Sequence, residues 1–275
     1  MAVTSMHAAS REALHLAENR LDEVLGDADA NPSVVGEELY SFASVLGAEI
    51  SLRRAVADAS ATEEARKGLV RGMLEGKLSE PTLRVLDTVV TSRWSTPREL
   101  LDGVHNLAGN ALLIGAEREG NLDTVEHELF GVARVLTDEP TLESALSDQA
   151  SPAESKRNLI SQVFSGKISS TTQTLVEQVV VAPRARGIAN GLDGLAEQAA
   201  RRRERSVAHV ITASPLSEEQ QNMLADRLQR IYGRPIALHI EQKAGLVGGL
   251  VVKVGDEVID GSSAGRILAL RGQLA

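Results

Sequence analysis

Gly76-Lys77 and Gly166-Lys167 carry the residue pair that closes a phosphate-binding loop. Such a loop needs a glycine five positions before the second one, Ser or Thr after the lysine, and a preceding strand, so that backbone N–H groups cradle the phosphates. Here Arg71 and Ser161 stand at the first position, Leu78 and Ile168 follow the lysines, and the preceding stretch reads as helix. Both pairs are therefore read as helix C-caps, each followed by an N-cap serine, Ser79 and Ser169. No two of the six histidines stand three or four residues apart on one helix, as a two-histidine zinc site requires. His209 and His239 are expected on strands that can neighbour each other, with packing or surface positions as the plainer reading. No serine sits in a nucleophile-elbow pattern, and with no cysteine there is no thiolate chemistry. No catalytic residue, cofactor site or metal site is expected. Arg201-Arg202-Arg203-Glu204-Arg205 is the densest charge run. It reads as a solvated helix end whose cations complement the C-terminal dipole, or as a contact for an acidic protein partner.

The elements that carry these residues belong to a chain of 275 residues, 43% apolar and 24% charged, long enough for two or three domains. No apolar run approaches the roughly 20 residues that span a bilayer, and the N-terminus lacks a signal-peptide apolar stretch. Aromatics make up 2% of the chain, which disfavours base stacking on single strands. The net charge is −9, which disfavours general phosphate-backbone binding, yet residues 201–275 hold 11 basic and 8 acidic groups. The last quarter is a different surface and is expected to be a different domain.

The chain repeats itself at an interval of 90 residues. Glu38-Leu39-Tyr40 matches Glu128-Leu129-Phe130, Leu69 matches Leu159, and Gly76-Lys77 with Ser79 matches Gly166-Lys167 with Ser169, without a gap from residue 38 to 90. Leu101-Asp102-Gly103-Val104 matches Leu192-Asp193-Gly194-Leu195 after one insertion. Such internal similarity marks a duplicated structural unit. Each copy reads as six helices, in the first at about 5–25, 33–47, 49–57, 61–74, 79–91 and from 96 onward. In the second, Leu122, Val125, Leu129, Val132 and Leu136 recur at helical spacing. Ser151-Pro152-Ala153-Glu154 reads as a capping box opening the next long helix. The sixth helix of copy one and the first of copy two share Pro97 to Arg118, so one continuous helix can join the copies. Leu69 and Leu159 are expected at equivalent core positions.

Residues 207–260 change period. Strands are expected at 207–212, 235–241, 249–254 and 257–259, with a hairpin at Gly255-Asp256. Ser217-Glu218-Glu219-Gln220 reads as a capping box for a helix that buries Met223, Leu224, Leu228 and Ile231. A last helix carries Ile267, Leu268 and Leu270. The fold class expected is mainly α: two tandem six-helix bundles, 1–104 and 105–205, then a small α/β C-terminal domain, 206–275.

Leu246-Val247-Gly248-Gly249, the alternating apolar run to Val254, Gly255-Asp256 and Asp260-Gly261-Ser262 form the most informative segment. Together with Thr212 to Gln220 it resembles the delta subunit of F-type ATP synthases, the family of the oligomycin-sensitivity-conferring protein. The resemblance covers residues 105–275. Lys243-Ala244-Gly245 departs from the family's Asp-Pro-containing turn, and the extra first repeat resembles the longer actinobacterial chains.

The resemblance implies a non-catalytic peripheral-stalk subunit, without cofactors, that links the catalytic head of a proton-translocating synthase to the b subunit and resists rotation. It implies one copy per complex, held peripherally at the cytoplasmic face of the cell membrane, with no nucleic acid and no membrane span of its own. In the family the six-helix domain takes an amphipathic alpha-subunit helix between its first and fifth helices. Carried onto this chain, that groove is lined by Leu107, Ala111, Leu112, Leu175, Val176 and Val179. The b-subunit candidates are Ile267, Leu270 and Leu274, and the motif residues are Gly248, Gly249, Gly255, Asp256, Asp260, Gly261 and Ser262. A duplicated groove in the first repeat would use Val85, Leu86 and Val89 with the stretch Leu14 to Leu25. The alternative is a helical protein-binding adaptor unrelated to ATP synthase.

Overall fold

The computed structural model describes residues 6–27, 29–148, 150–183, 187–205, 207–232, 236–243, 248–255 and 257–261. Two compact units divide the chain, residues 1–199 and residues 200–275.

The first unit is helical. Its elements are α1 (Ala8–Gly26), α2 (Pro32–Ala48), α3 (Ile50–Val56), α4 (Glu63–Leu74), α5 (Glu80–Thr91), α6 (Pro97–Arg118), α7 (Leu122–Asp138), α8 (Pro140–Ser147), α9 (Ala153–Phe164), α10 (Ser170–Val181) and α11 (Ile188–Arg205), the last running on past residue 199. The succession matches the six-and-six reading, with α6 an unbroken helix that is sixth in the first copy and first in the second. Residue 104 lies inside it.

Local chemistry sets the ends of these helices. Asn31 caps α2 through its side chain, with Pro32 at the first helical position. Thr96 caps α6 in the same way, followed by Pro97. The two Gly-Lys pairs are C-cap turns: Gly76 and Gly166 have φ of 77° and 70°, a left-handed conformation that glycine adopts without a Cβ clash. The box expected at Ser151 does not form. Its hydroxyl donates to Asp148 instead, at 2.9 Å, and α9 starts one residue later with Pro152 at its N-cap. Asp148 holds the turn by accepting that bond and the Ala150 N–H, which competes with capping for the serine.

One apolar core runs through both copies, from Met6 to Ala199. α6 supplies its centre, with Leu100, Val104, Leu107, Ala108, Ala111 and Leu113 all fully buried. It lies closely against α2: a Cβ at Gly36 would stand 2.7 Å from Leu112 Cδ2 and 3.2 Å from the Ala108 carbonyl oxygen. It also carries Gly103 under the ring of Trp94, the chain's single tryptophan, where a Cβ would stand 2.3 Å from the ring. The Trp94 Nε1–H donates to the Val89 carbonyl at 2.8 Å, which fixes the ring. Leu69 is not the core position expected of it. It is 39% exposed and Leu159 only half-buried, whereas the next residues, Val70 and Ile160, are buried. The duplication holds, shifted by one residue around the helix, because Arg66 and Val70 (and Lys156 and Ile160), four apart, define the inward line.

A polar junction occurs twice. Glu38 on α2 accepts the Ser79 N–H at 3.0 Å and the hydroxyls of Ser79 and Thr82, tying α2 to the start of α5. Glu128 on α7 does the same for Ser169 and Thr172 at the start of α10, at 3.0, 2.7 and 2.5 Å. Burial raises the Glu128 carboxyl pKa, but the bonds from Thr172 and Ser169 outweigh it and hold the group below the ordinary carboxylate value.

Among its described residues the second unit has a four-stranded sheet of order β2-β1-β3-β4 and the helix α12. Its elements are β1 (Val207–Thr212), α12 (Glu218–Tyr232), β2 (Ala237–Gln242), β3 (Leu250–Val254) and β4 (Glu257–Asp260). β1 pairs parallel to β2 and antiparallel to β3, and β3–β4 is the expected hairpin. The Ser217 box forms reciprocally: Gln220 N–H donates to the Ser217 hydroxyl and Ser217 N–H to the Gln220 side chain. α12 turns Leu224, Leu228 and Tyr232 onto Ala208, Val210, Val252 and Val254. Met223 and Ile231, expected on that face, are exposed, since a line through Leu224 and Leu228 leaves them on the flank. Gly249 enters β3 with φ 84°, and Gly261 N–H closes on the Leu250 carbonyl at 3.0 Å. Asp256 and Ser262 of the motif, and Ile267, Leu268, Leu270 and Leu274, lie outside the described residues.

Gly103→Ala is expected to destabilise the helical unit by about 1–3 kcal/mol, because the pinned indole cannot retreat from a new methyl group. Urea unfolding followed by Trp94 fluorescence checks this, and an unchanged midpoint would contradict the packing argument. Glu128 generates a pH dependence of definite sign. A depressed folded-state pKa gives stability that is full above the unfolded carboxylate pKa of about 4.3 and is lost as pH falls through the folded value. Thermal scans from pH 6 to 3 should therefore show a shallower acid-side loss for Glu128→Gln than for the parent chain.

Candidate functional site

The surfaces that could seat a partner helix are the first-helix and fifth-helix pairs of each repeat. Among the described residues no group of three or more His, Asp or Glu could hold a metal ion. None of the described helices is long and apolar enough to cross a membrane.

In the second repeat the pair is α6 and α10. Leu107, Ala111, Leu175 and Val176 are fully buried, Leu112 nearly so, and Val179 is half-buried. The structure brings these residues together as core, not as the walls of an open groove. Leu112 is covered by α2 of the first repeat at Gly36. Val179 is pressed on Gly191 of α11, where a Cβ would stand 2.7 Å from its Cγ1. The equivalent residues of the first repeat, Val85, Leu86 and Val89, are likewise fully buried, as are Leu14, Leu21 and Leu25.

An open furrow does exist on the first repeat, one helical step around from those core residues. It is lined by Leu16, Asn19, Arg20 and Glu23 of α1, Glu63 at the start of α4, and Thr88, Thr91 and Ser92 of α5, with a volume of about 460 Å³. Leu16 is 50% exposed at its edge, and Arg20 pairs with Glu23 at 2.7 Å. By the 90-residue offset, Leu16, Asn19, Arg20 and Glu23 correspond to Asn106, Gly109, Asn110 and Leu113 of α6. There the space is taken. Gly109 faces Leu195 of α11 and the Tyr40 hydroxyl of α2, and Gln198 Nε2 donates to the Asn106 side chain and carbonyl, both at 3.2 Å. Burial raises the Tyr40 hydroxyl pKa and keeps it a neutral part of this contact.

The walls of the furrow are held by charge. Arg71 of α4 meets Asp87 of α5 at 2.7 Å and Glu80 at 3.0 Å, and Lys67 meets Asp87 at 3.1 Å. Burial raises the Asp87 carboxyl pKa, but bonds from Arg71 and Lys67 bring it below its ordinary value. Arg66, almost wholly buried, donates to the carbonyls of Thr91 and Ser92, where the dipole of α5 ends. Glu99 on α6 ties down the start of α1, accepting from His7 N–H at 2.8 Å and from the Ser10 hydroxyl at 2.9 Å. The second repeat has a weaker α9–α10 clamp, Arg157–Glu177 at 3.8 Å.

The stretch Leu14 to Leu25 contains the α1 side of the furrow, but sequence reasoning did not single out its residues and missed Glu63, Thr88, Thr91 and Ser92, because they are polar or singly apolar. A signal was present: Leu16 breaks the inward line Ala13, Leu14, Ala17, Leu21. The arginine run is divided. Arg201 is exposed, Arg202 is buried and Arg203 half-buried, so the four do not form one solvated patch.

Comparison with known proteins bears on the whole chain. Residues 109–274 match the family model "ATP synthase delta (OSCP) subunit". "ATP synthase subunit delta" of Corynebacterium diphtheriae is 43% identical over 274 residues, covering 98% of this chain and 100% of the relative. The protein of the same name from Nocardia farcinica is 43% identical over 270 residues, covering 98% and 100%. That of Rhodococcus opacus is 39% identical over 277 residues, covering 99% and 100%. The relatives thus include the first repeat as well as the second, and the chain belongs to the ATP synthase delta (OSCP) subunit family.

Proposed function

We propose that this chain is a peripheral-stalk subunit of a proton-translocating F-type ATP synthase, linking the catalytic head to the b subunit and resisting rotation. The observation that carries the reading is end-to-end identity of 43% with delta subunits, first repeat included. The subunit is non-catalytic and sits peripherally at the cytoplasmic face of the cell membrane as part of the complex. The reading as an adaptor unrelated to ATP synthase has no feature in its favour. The b-subunit contact belongs to the C-terminal unit, with Ile267, Leu270 and Leu274 as apolar candidates.

The head contact is an amphipathic alpha-subunit helix laid in a groove. Leu107, Ala111, Leu112, Leu175 and Val176 serve as the packed floor beneath that face, with Val179 reaching its surface. The exposed counterpart of the groove lies on the first repeat, where Leu16 offers an apolar anchor and Thr88 and Thr91 a flat wall. A helix seated there needs one apolar residue for Leu16 and polar groups for the Arg20–Glu23 pair.

Binding of the full-length chain to stalk-free catalytic head, followed by calorimetry, tests this. Leu16→Asp with Thr91→Arg changes surface residues and should leave the melting temperature within a few degrees. Affinity for the head is expected to fall at least tenfold, which is about 1.4 kcal/mol. Unchanged affinity would remove the first-repeat furrow from the head contact and return the helix to the second repeat.

A further inference from the structure

We propose that His209 and His239 form a binding site for one divalent transition-metal ion, such as Zn(II) or Ni(II), on the face of the C-terminal sheet opposite α12. The two residues are register partners in the parallel β1–β2 pair. Their imidazole rings stand 5.4 Å apart between centroids, at 65° to each other. Both side chains are exposed, because alternation along β1 sends Ala208 and Val210 under α12 and His209 to the opposite side. Zinc takes imidazole nitrogen at about 2.0–2.1 Å, which puts two such nitrogens of a tetrahedral ion about 3.4 Å apart. Rings already side by side on adjacent strands reach that separation by side-chain rotation alone, without moving the backbone.

The surroundings say what kind of ion fits. Two neutral imidazoles favour a borderline metal such as zinc, nickel or copper over magnesium or calcium. Water completes the coordination, since no third His, Asp or Glu makes a ready cluster among the described residues. Glu241, two residues along β2 on the same face, is paired with Lys243 at 3.5 Å. Lys253 is the register partner of His209 on the other side, and Val258 lies beyond it. Its ammonium group repels an incoming cation, so the site is a modest one that Lys253 weakens. An ion held here joins β1 to β2, two strands that α12 separates in sequence, and so staples the C-terminal unit.

The test is calorimetric titration of tag-free full-length chain with zinc chloride and, separately, nickel chloride at pH 7.5. One equivalent should bind, and binding should be lost in both His209→Gln and His239→Gln, which alter exposed positions and leave the fold intact. Binding should weaken as the pH is lowered, because protons compete with a metal ion for imidazole nitrogen. Lys253→Met keeps both imidazoles and should tighten binding severalfold. The proposal is overturned if the parent chain takes up no stoichiometric metal, or if either glutamine variant binds as tightly as the parent through the remaining histidines.

Discussion

The close seating of α6 on α2 is the contact on which the helical unit rests. Gly36 lets Leu112 and the Ala108 carbonyl approach to distances that no side chain permits. Gly115, further along α6, meets Pro32 at the start of α2. Close approach of this kind buries backbone as well as side chain and multiplies the small dispersion terms that hold a core together. α6 is at once the last helix of one copy and the first of the next. The same contact that closes the first bundle therefore covers a face the second copy would otherwise expose.

That economy explains why the two copies are alike inside and unlike outside. The Glu38 and Glu128 junctions are matched bond for bond, because each satisfies the orphan donors at a helix start and cannot be altered piecemeal without leaving a buried polar group unpaired. The furrow positions are free to differ. In the first copy they remain open and carry an Arg20–Glu23 pair. In the second, Tyr40, Leu195 and Gln198 fill the matching space.

Much of this was legible in the residues. Helical periodicity placed α1–α6 within a few residues, and the 90-residue offset located the duplication and the continuous 97–118 helix. Period-two alternation placed the strands, and Leu246 to Ser262, together with Thr212 to Gln220, carried the family resemblance. What periodicity does not give is the neighbour. It marks Leu107 and Leu175 as inward-facing but not whether a partner helix or another part of the chain lies against them. It leaves an uncertainty of about one residue around the helix, which moved the buried line from Leu69 to Val70 and from Ile231 to Tyr232. The Glu38–Ser79–Thr82 junction spans more than forty residues, and only its recurrence in the second copy hinted at it. The capping serine at 151 lost to Asp148, a competition between two short-range bonds that composition does not decide.

The 22 residues of α6 also fix how the helical unit transmits load. At 1.5 Å per residue this rod is about 33 Å long, and both bundles grip it along its length. Tandem domains are ordinarily strung on a flexible peptide, which acts as a slack joint. Here no such joint exists between the copies, and a pull on one reaches the other as bending of a single hydrogen-bonded cylinder. Elastic give within this unit must come from sliding at side-chain interfaces, which is stiff and short in range.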